Sequence, residues 1–206
     1  MVGFGTGRFI SNTDVPGKGV TAQTQSLYGI IDTNTTVNGR AELQARTIPY
    51  WGKDEDNKDA RGFESYSALP ADMKGWYLDL PTPERVIGSP TISGTGMFLT
   101  SVIPADGADC SGATGSGYFN AINLFTGTAP KSGSYFADTS ALPDGKGGHG
   151  VVGSKKIDGG MPTDGNLTTG LATIGRGDGD TPQSFKVPPP NGGMPSRISW
   201  RELMAQ

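Results

Sequence analysis

Apolar residues in this chain come in short runs bounded by glycine, proline and aspartate. Almost nowhere do they take the three-to-four-residue spacing that gives a helix one apolar face. That punctuation leaves strands joined by turns as the regular structure the sequence supports. The runs are "SLYGIID" (26–32), "AELQARTIPYW" (41–51), "GWYLDL" (75–80), "RVIGSPTI" (85–92), "GMFLTSVIP" (96–104) and "GYFNAINLFTG" (117–127). Residues 75 to 127 are expected to form one antiparallel sheet, with Trp76, Leu78, Phe98 and Phe119 at buried positions. The one amphipathic stretch is the last, "SRISWRELMAQ", which suits a strand equally well. The fold class is all-β.

The opening "GFGTGRFISNTD" (3–14) sets glycines at three alternate positions, as in a phosphate-cradling loop or in a strand packed too tightly for side chains. It lacks the third glycine of G-x-G-x-x-G and the Gly-Lys-Ser/Thr ending of a P-loop. Pro16, Gly17 and Gly19 stand where the following helix would have to run. The tight strand is therefore the reading kept. With 33 glycines and 15 prolines in 206 residues, much of the chain is expected to be loop. From Pro130 onward the apolar runs shrink to "GVVG", "LTTGLATIG" and "SFKV", which reads as long ordered loops on a β scaffold. A formal charge of −3 gives no basic footprint for nucleic acid, and no apolar run is long enough to span a membrane. "MVGFGTGRF" does not read as a secretory signal. The single cysteine, Cys110, excludes a disulfide framework within the chain; it is either a small buried hydrophobe or half of a bridge to a partner elsewhere.

The run "GYFNAINLFTG" narrows the architecture. Its Ala-x-Asn-x-x-Thr-Gly ending puts small and apolar residues on alternate faces and turns at Thr126-Gly127, and it resembles the blade repeat of quinoprotein-type β-propellers. Propellers close with four to eight blades of roughly 40 to 50 residues, so this chain supplies about four at most. The chain is read as a single fragment of a β-propeller domain over residues 1–206. Strand-rich blades occupy 1–129, and a loop-rich part with a closing segment near 197–204 occupies 130–206. An open set of blades leaves unpaired edges, so the chain alone is expected to be marginally stable or self-associating.

The sharpest motifs are Gly5-Thr6-Gly7-Arg8 followed by Tyr28-Gly29-Ile30 and Asp32, then Gly75-Trp76-Tyr77-Leu78-Asp79-Leu80 followed by Glu84-Arg85-Val86. With "GYFNAINLFTG" and the late Ser199-Trp200-Arg201-Glu202, they resemble in order and content the C-terminal propeller of the PilY/PilC family of type IV pilus proteins. The resemblance implies a large exported protein at the outer surface, pilus tip or periplasm of a Gram-negative bacterium. It also implies a propeller that supports pilus assembly, counters retraction and contributes to adhesion and twitching motility, with pilus subunits or minor pilins as partners. On this reading Gly5 and Gly7 are packing positions, and any signal peptide lies in an absent N-terminal portion.

The resemblance also implies calcium in the full-length family, where many members carry a loop with Asp and Asn at alternate positions, the pattern that gives the ion several oxygens from one compact turn. Here "KDEDNKDARG" offers Asp54, Asp56 and Asp59 but carries Lys58 and lacks the central glycine, while "DGNLTTG" offers Asp164, Asn166 and Thr168 without glycine or closing Glu. Both are read as solvated polar turns, and no cofactor is assigned. The only histidine, His149, sits among glycines with no nucleophile pattern nearby, so no enzyme is read. The best enzymatic alternative is a fragment of a quinoprotein-type dehydrogenase, which would need calcium and a closed cofactor pocket. The other alternative is a host-receptor-binding adhesin using Arg176-Gly177-Asp178, a tripeptide integrins can read at a loop tip. Trp51, Trp76 and Trp200 are read as packing anchors, an exposed one being free to bind a partner or glycan.

Overall fold

A computed structural model describes residues 1–9, 14, 23–32, 34–105, 115–168 and 170–188. Cys110, Trp200 and the proposed closing segment lie outside the described residues. The described chain is all-β, with one 3-10 turn at Arg40–Glu42 and no α-helix. A four-stranded sheet has the order β1 (Val2–Gly5), β2 (Ser26–Ile30), β6 (Gly75–Asp79), β3 (Gln44–Arg46), antiparallel except for β3 alongside β6. A six-stranded antiparallel sheet runs β4 (Tyr50–Lys53), β5 (Asp59–Gly62), β12 (Ser154–Ile157), β9 (Ser116–Asn123), β8 (Gly96–Ile103), β7 (Thr91–Ser93). Two smaller sheets follow, β10 (Ala141–Pro143) with β11 (His149–Val151), and β13 (Gly165–Thr168), β14 (Leu171–Ile174), β15 (Gln183–Lys186). None of the sheets is closed.

The β8–β9 pair is the spine. Both of its faces are buried, which is why "GMFLTSVI" and "SGYFNAIN" read as nearly continuous apolar runs rather than alternating ones. On one face Met97, Leu99, Ile122 and Leu124 meet Leu27, Trp76 and Leu78 of the four-stranded sheet. On the other, Phe98, Phe119 and Ala121 meet Ala172, Ile174 and Phe185 of the three-stranded sheet, with Phe119 and Phe185 stacked at 5.9 Å. The result is a stack of sheets, each covering its neighbour's apolar face.

Trp76 joins two of these layers. Its indole Nε1 donates to the Leu124 carbonyl at 2.7 Å. The ring lies against Gly29 and Gly127, where an added Cβ would fall 2.3 and 2.4 Å from ring atoms. Gly127 has φ +69, so it supplies both the close approach and the left-handed turn. That turn is tied by Asn123, which accepts from the Gly127 amide through its carbonyl and from the Phe125 amide through its side chain.

Three sequence expectations are corrected. Residues 75 to 127 do not form one sheet: β6 pairs with β2 and β3, while β7, β8 and β9 pair in the six-stranded sheet. Pro81, Pro83 and Pro90 interrupt the link between them and carry the chain from one layer to the next. The run 41–51 likewise splits into β3 and β4, in different sheets. The part after Pro130 is less loop-like than expected, with six short strands between 141 and 186. Trp76, Leu78, Phe98 and Phe119 are all buried, as expected. Trp76→Ala should lower unfolding free energy by about 3–5 kcal/mol, read from urea denaturation followed by circular dichroism.

Candidate functional site

The most constrained polar cluster lies between the four- and six-stranded sheets. Arg61 and Glu84 have side chains only 1% exposed. Arg61 grips the carboxylate with both terminal nitrogens, Nη1 to Oε2 at 2.6 Å and Nη2 to Oε1 at 2.9 Å. Its remaining donors reach Ser154 Oγ and Asn120 Oδ1, and its guanidinium carbon lies 3.7 Å from the Tyr118 ring centre. Ser101 donates to Glu84, Asn120 donates to Ser101, and Ser154 donates to Asn120. A bidentate pair with its other donors satisfied is the arrangement that makes a buried charge pair tolerable.

Of the motifs singled out in the sequence, Gly5-Thr6-Gly7-Arg8 packs on the Arg85-Val86 segment next to Glu84. Gly5 approaches Val86 so closely that a Cβ would lie 2.5 Å from the valine Cβ, and at Gly7 it would lie 2.6 Å from the Val86 carbonyl. Thr6 accepts from the Ser26 amide through its hydroxyl and from the Val86 amide through its carbonyl. Arg85 donates to the Arg8 and Asp14 carbonyls, and Arg8 pairs with Asp14 at 2.8 Å. Gly75 passes against the Gly29 backbone, where a Cβ would sit 2.2 Å from the carbonyl oxygen. On the outward face of the four-stranded sheet, Phe4, Tyr28 and Tyr77 form a row of rings, capped by Arg40 bonded to the Tyr28 hydroxyl and Asp79.

Arg176 and Asp178 are not held apart. The guanidinium Nη2 pairs with the Asp178 carboxylate at 2.6 Å, and the turn is fastened by the Asp178 amide donating to the Gly159 carbonyl. Gly177 packs on the Met161 backbone, where a Cβ would fall 2.8 Å from the carbonyl. His149 is exposed on the rim of an open surface pocket of about 530 Å³, with Phe63, Tyr66, Lys131 and Ser132 among its lining, which among the described residues includes no carboxylate. Trp51 is 47% exposed and donates to the Ile48 carbonyl.

The acidic turn is not wholly solvated, which corrects the sequence reading. Asp54 Oδ1 accepts from the Asp56 and Lys58 amides, as short polar side chains do in turns. Its Oδ2 lies 3.3 Å from Lys155, which also pairs with Asp138 at 2.7 Å. Burial pushes the Asp138 carboxyl up, but bonds from Lys155 and Ser140 outweigh it and hold it below the usual carboxylate range. Burial likewise pulls Lys155 down, and its carboxylate partners more than restore it. Asn166 and Thr168 lie on the exposed side of β13. Among the described residues no group of three or more His, Cys, Asp or Glu is arranged to hold a metal.

Comparison with known proteins decides the family. Over 211 aligned residues the chain is 35% identical to a type IV pilus biogenesis factor PilY1 homolog of Xylella fastidiosa, a match covering 98% of this chain and 16% of the relative. This chain is a PilY1-family region. A second PilY1 homolog of the same organism is 28% identical over 136 residues, covering 63% of the chain and 9% of the relative. The region thus spans a minor part of the relatives it matches. No family model matches it, and no solved structure matches it significantly. Among the described residues no helix is long and apolar enough to cross a membrane.

Sequence reasoning missed Arg61, Lys155 and Asp138 in this PilY1-family region. Arg61 sits at the end of "KDEDNKDAR", where a polar run hides a strand whose last residues turn inward. Glu84 was within a singled-out motif, but nothing in the sequence points to its partner 23 residues away. Glu84→Ala should cost about 3–5 kcal/mol, because Arg61 is left buried without its counter-charge. The double variant with Arg61→Ala should cost less than the sum of the two single changes, measured as a double-mutant cycle in urea.

Proposed function

We propose that this PilY1-family region serves type IV pilus biogenesis at the cell surface as a scaffold that acts by contact rather than catalysis, and that it forms part of a β-propeller. The observation that carries the reading is the 35% identity running through 98% of the chain to a protein named for that role. The fold adds support. Successive sheets stacked face to face, joined by Trp76 seated against the Thr126-Gly127 turn, are what neighbouring blades of a propeller require. A fibre-supporting scaffold works through an extended surface, so pilus subunits or minor pilins are the partners proposed. Resistance to retraction and a contribution to adhesion and twitching are the roles proposed within pilus biogenesis.

A receptor-binding role for Arg176, Gly177 and Asp178 is the second proposal. It requires the Arg176–Asp178 pair to open, since a receptor needs both charges free. The two readings separate by experiment. Deleting the region in a piliated host should reduce surface pili, with partial recovery when retraction is blocked. Trp76→Ala should reduce piliation far more than His149→Ala or Asp178→Ala, because contact surfaces depend on sheet integrity. Normal piliation with lost cell adhesion in Asp178→Ala would establish the receptor role. Lost piliation in His149→Ala with Trp76→Ala unaffected would overturn the scaffold.

A further inference from the structure

We propose that Lys155 and Asp138 are the two ends of an intramolecular amide cross-link that this chain forms by itself, with Asp54 moving the protons. Lys155 stands mid-strand in β12, facing the apolar layer between the six- and three-stranded sheets, in register with Phe119 of β9. Its side chain is 5% exposed, that of Asp54 2% and that of Asp138 1%. Lys155 Nζ lies 2.7 Å from Asp138 Oδ2 and 3.3 Å from Asp54 Oδ2, with the Phe185 ring centre at 5.6 Å. Among the described residues the only other carboxylate near the ammonium is Glu55, at 3.9 Å and half exposed.

Two features distinguish this cluster from an ordinary ion pair. One buried ammonium faces two buried carboxylates, so a second carboxylate stands beside the reacting pair, within reach of the ammonium, to receive and return its protons. The walls are aromatic, with Phe119, Phe136 and Phe185 packed on one another at about 6 Å, and such a dry surrounding lets the water released by the step leave and shields the amide from hydrolysis. Holding amine and carboxyl in contact also replaces a bimolecular encounter with an intramolecular one.

The step balances without a co-reactant. Asp54 takes one proton from the Lys155 ammonium and passes it to the Asp138 carboxylate. The freed Nζ lone pair attacks Asp138 Cγ, forming the Nζ–Cγ bond. Asp54 carries a second proton from nitrogen to the hydroxyl, the Cγ–O bond breaks, and one water leaves. Ammonium and carboxylate become amide and water, and Asp54 ends as it began. The bond would staple β12, an inner strand of the six-stranded sheet, to the loop ahead of β10, independently of any role in pilus biogenesis.

Intact mass spectrometry of the full chain under denaturing conditions tests this, followed by proteolysis and fragment sequencing. The expected result is a mass one water below that of the sequence, with the Lys155 and Asp138 peptides joined. Lys155→Arg and Asp138→Ala should restore the full mass, and Asp54→Ala should leave most chains unlinked. A wild-type chain at full sequence mass overturns the proposal, whatever the variants do. So does a lost water that maps to one of the five Asp-Gly pairs, at 106–107, 144–145, 158–159, 164–165 and 178–179, where ring closure onto the next amide would cause it. Complete linkage in Asp54→Ala would overturn the proton-moving role.

Discussion

The bidentate contact between Arg61 and Glu84 is the constraint on which the sheet stack depends. An arginine in β5 can be buried only where a carboxylate and further acceptors meet all its donors. Glu84 comes from the link between the two large sheets, Asn120 and Ser101 from the spine strands, and Ser154 from β12. The pair therefore sets where the link must lie relative to four strands of the six-stranded sheet. Apolar contacts around it supply most of the burial, but they tolerate sliding, whereas a two-pronged contact does not.

Close approach is the complementary device. Gly5, Gly7, Gly29 and Gly127 stand where side chains of a neighbouring layer come within a Cβ's reach of the backbone. Together they let β1 lie against Val86 and let the Trp76 indole fill the space between two layers. The alternating glycines that suggested a phosphate loop belong to this packing: the space beside each is occupied by Met97, Val86 or Arg85.

Parts of the site were legible in the sequence for different reasons. Trp76, Leu78, Phe98 and Phe119 announced their burial because each sits in a short apolar run, and such runs are local signals. Arg176-Gly177-Asp178 was legible as letters only, since nothing in the tripeptide indicates that its own charges pair at 2.6 Å. The acidic turn misled in the opposite direction. Asp54 looked solvated among Glu55, Asp56 and Lys58, yet it points inward to Lys155, which lies about a hundred residues later in the chain.

Sequence alone determined that the chain is built of strands, where β2, β6, β8 and β9 lie, and that Trp76, Leu78, Phe98 and Phe119 are buried, because glycine, proline and apolar runs act within a few residues. It also carried the family, through motifs whose order survives without their contacts. Only the tertiary structure decided which strands pair, that β6 leaves the sheet of its neighbours in sequence, and that Arg61 meets Glu84 while Lys155 meets Asp54 and Asp138. Those choices depend on burial shared between distant segments. A charged residue reads the same in sequence whether water or a counter-charge surrounds it, and only the fold supplies the counter-charge.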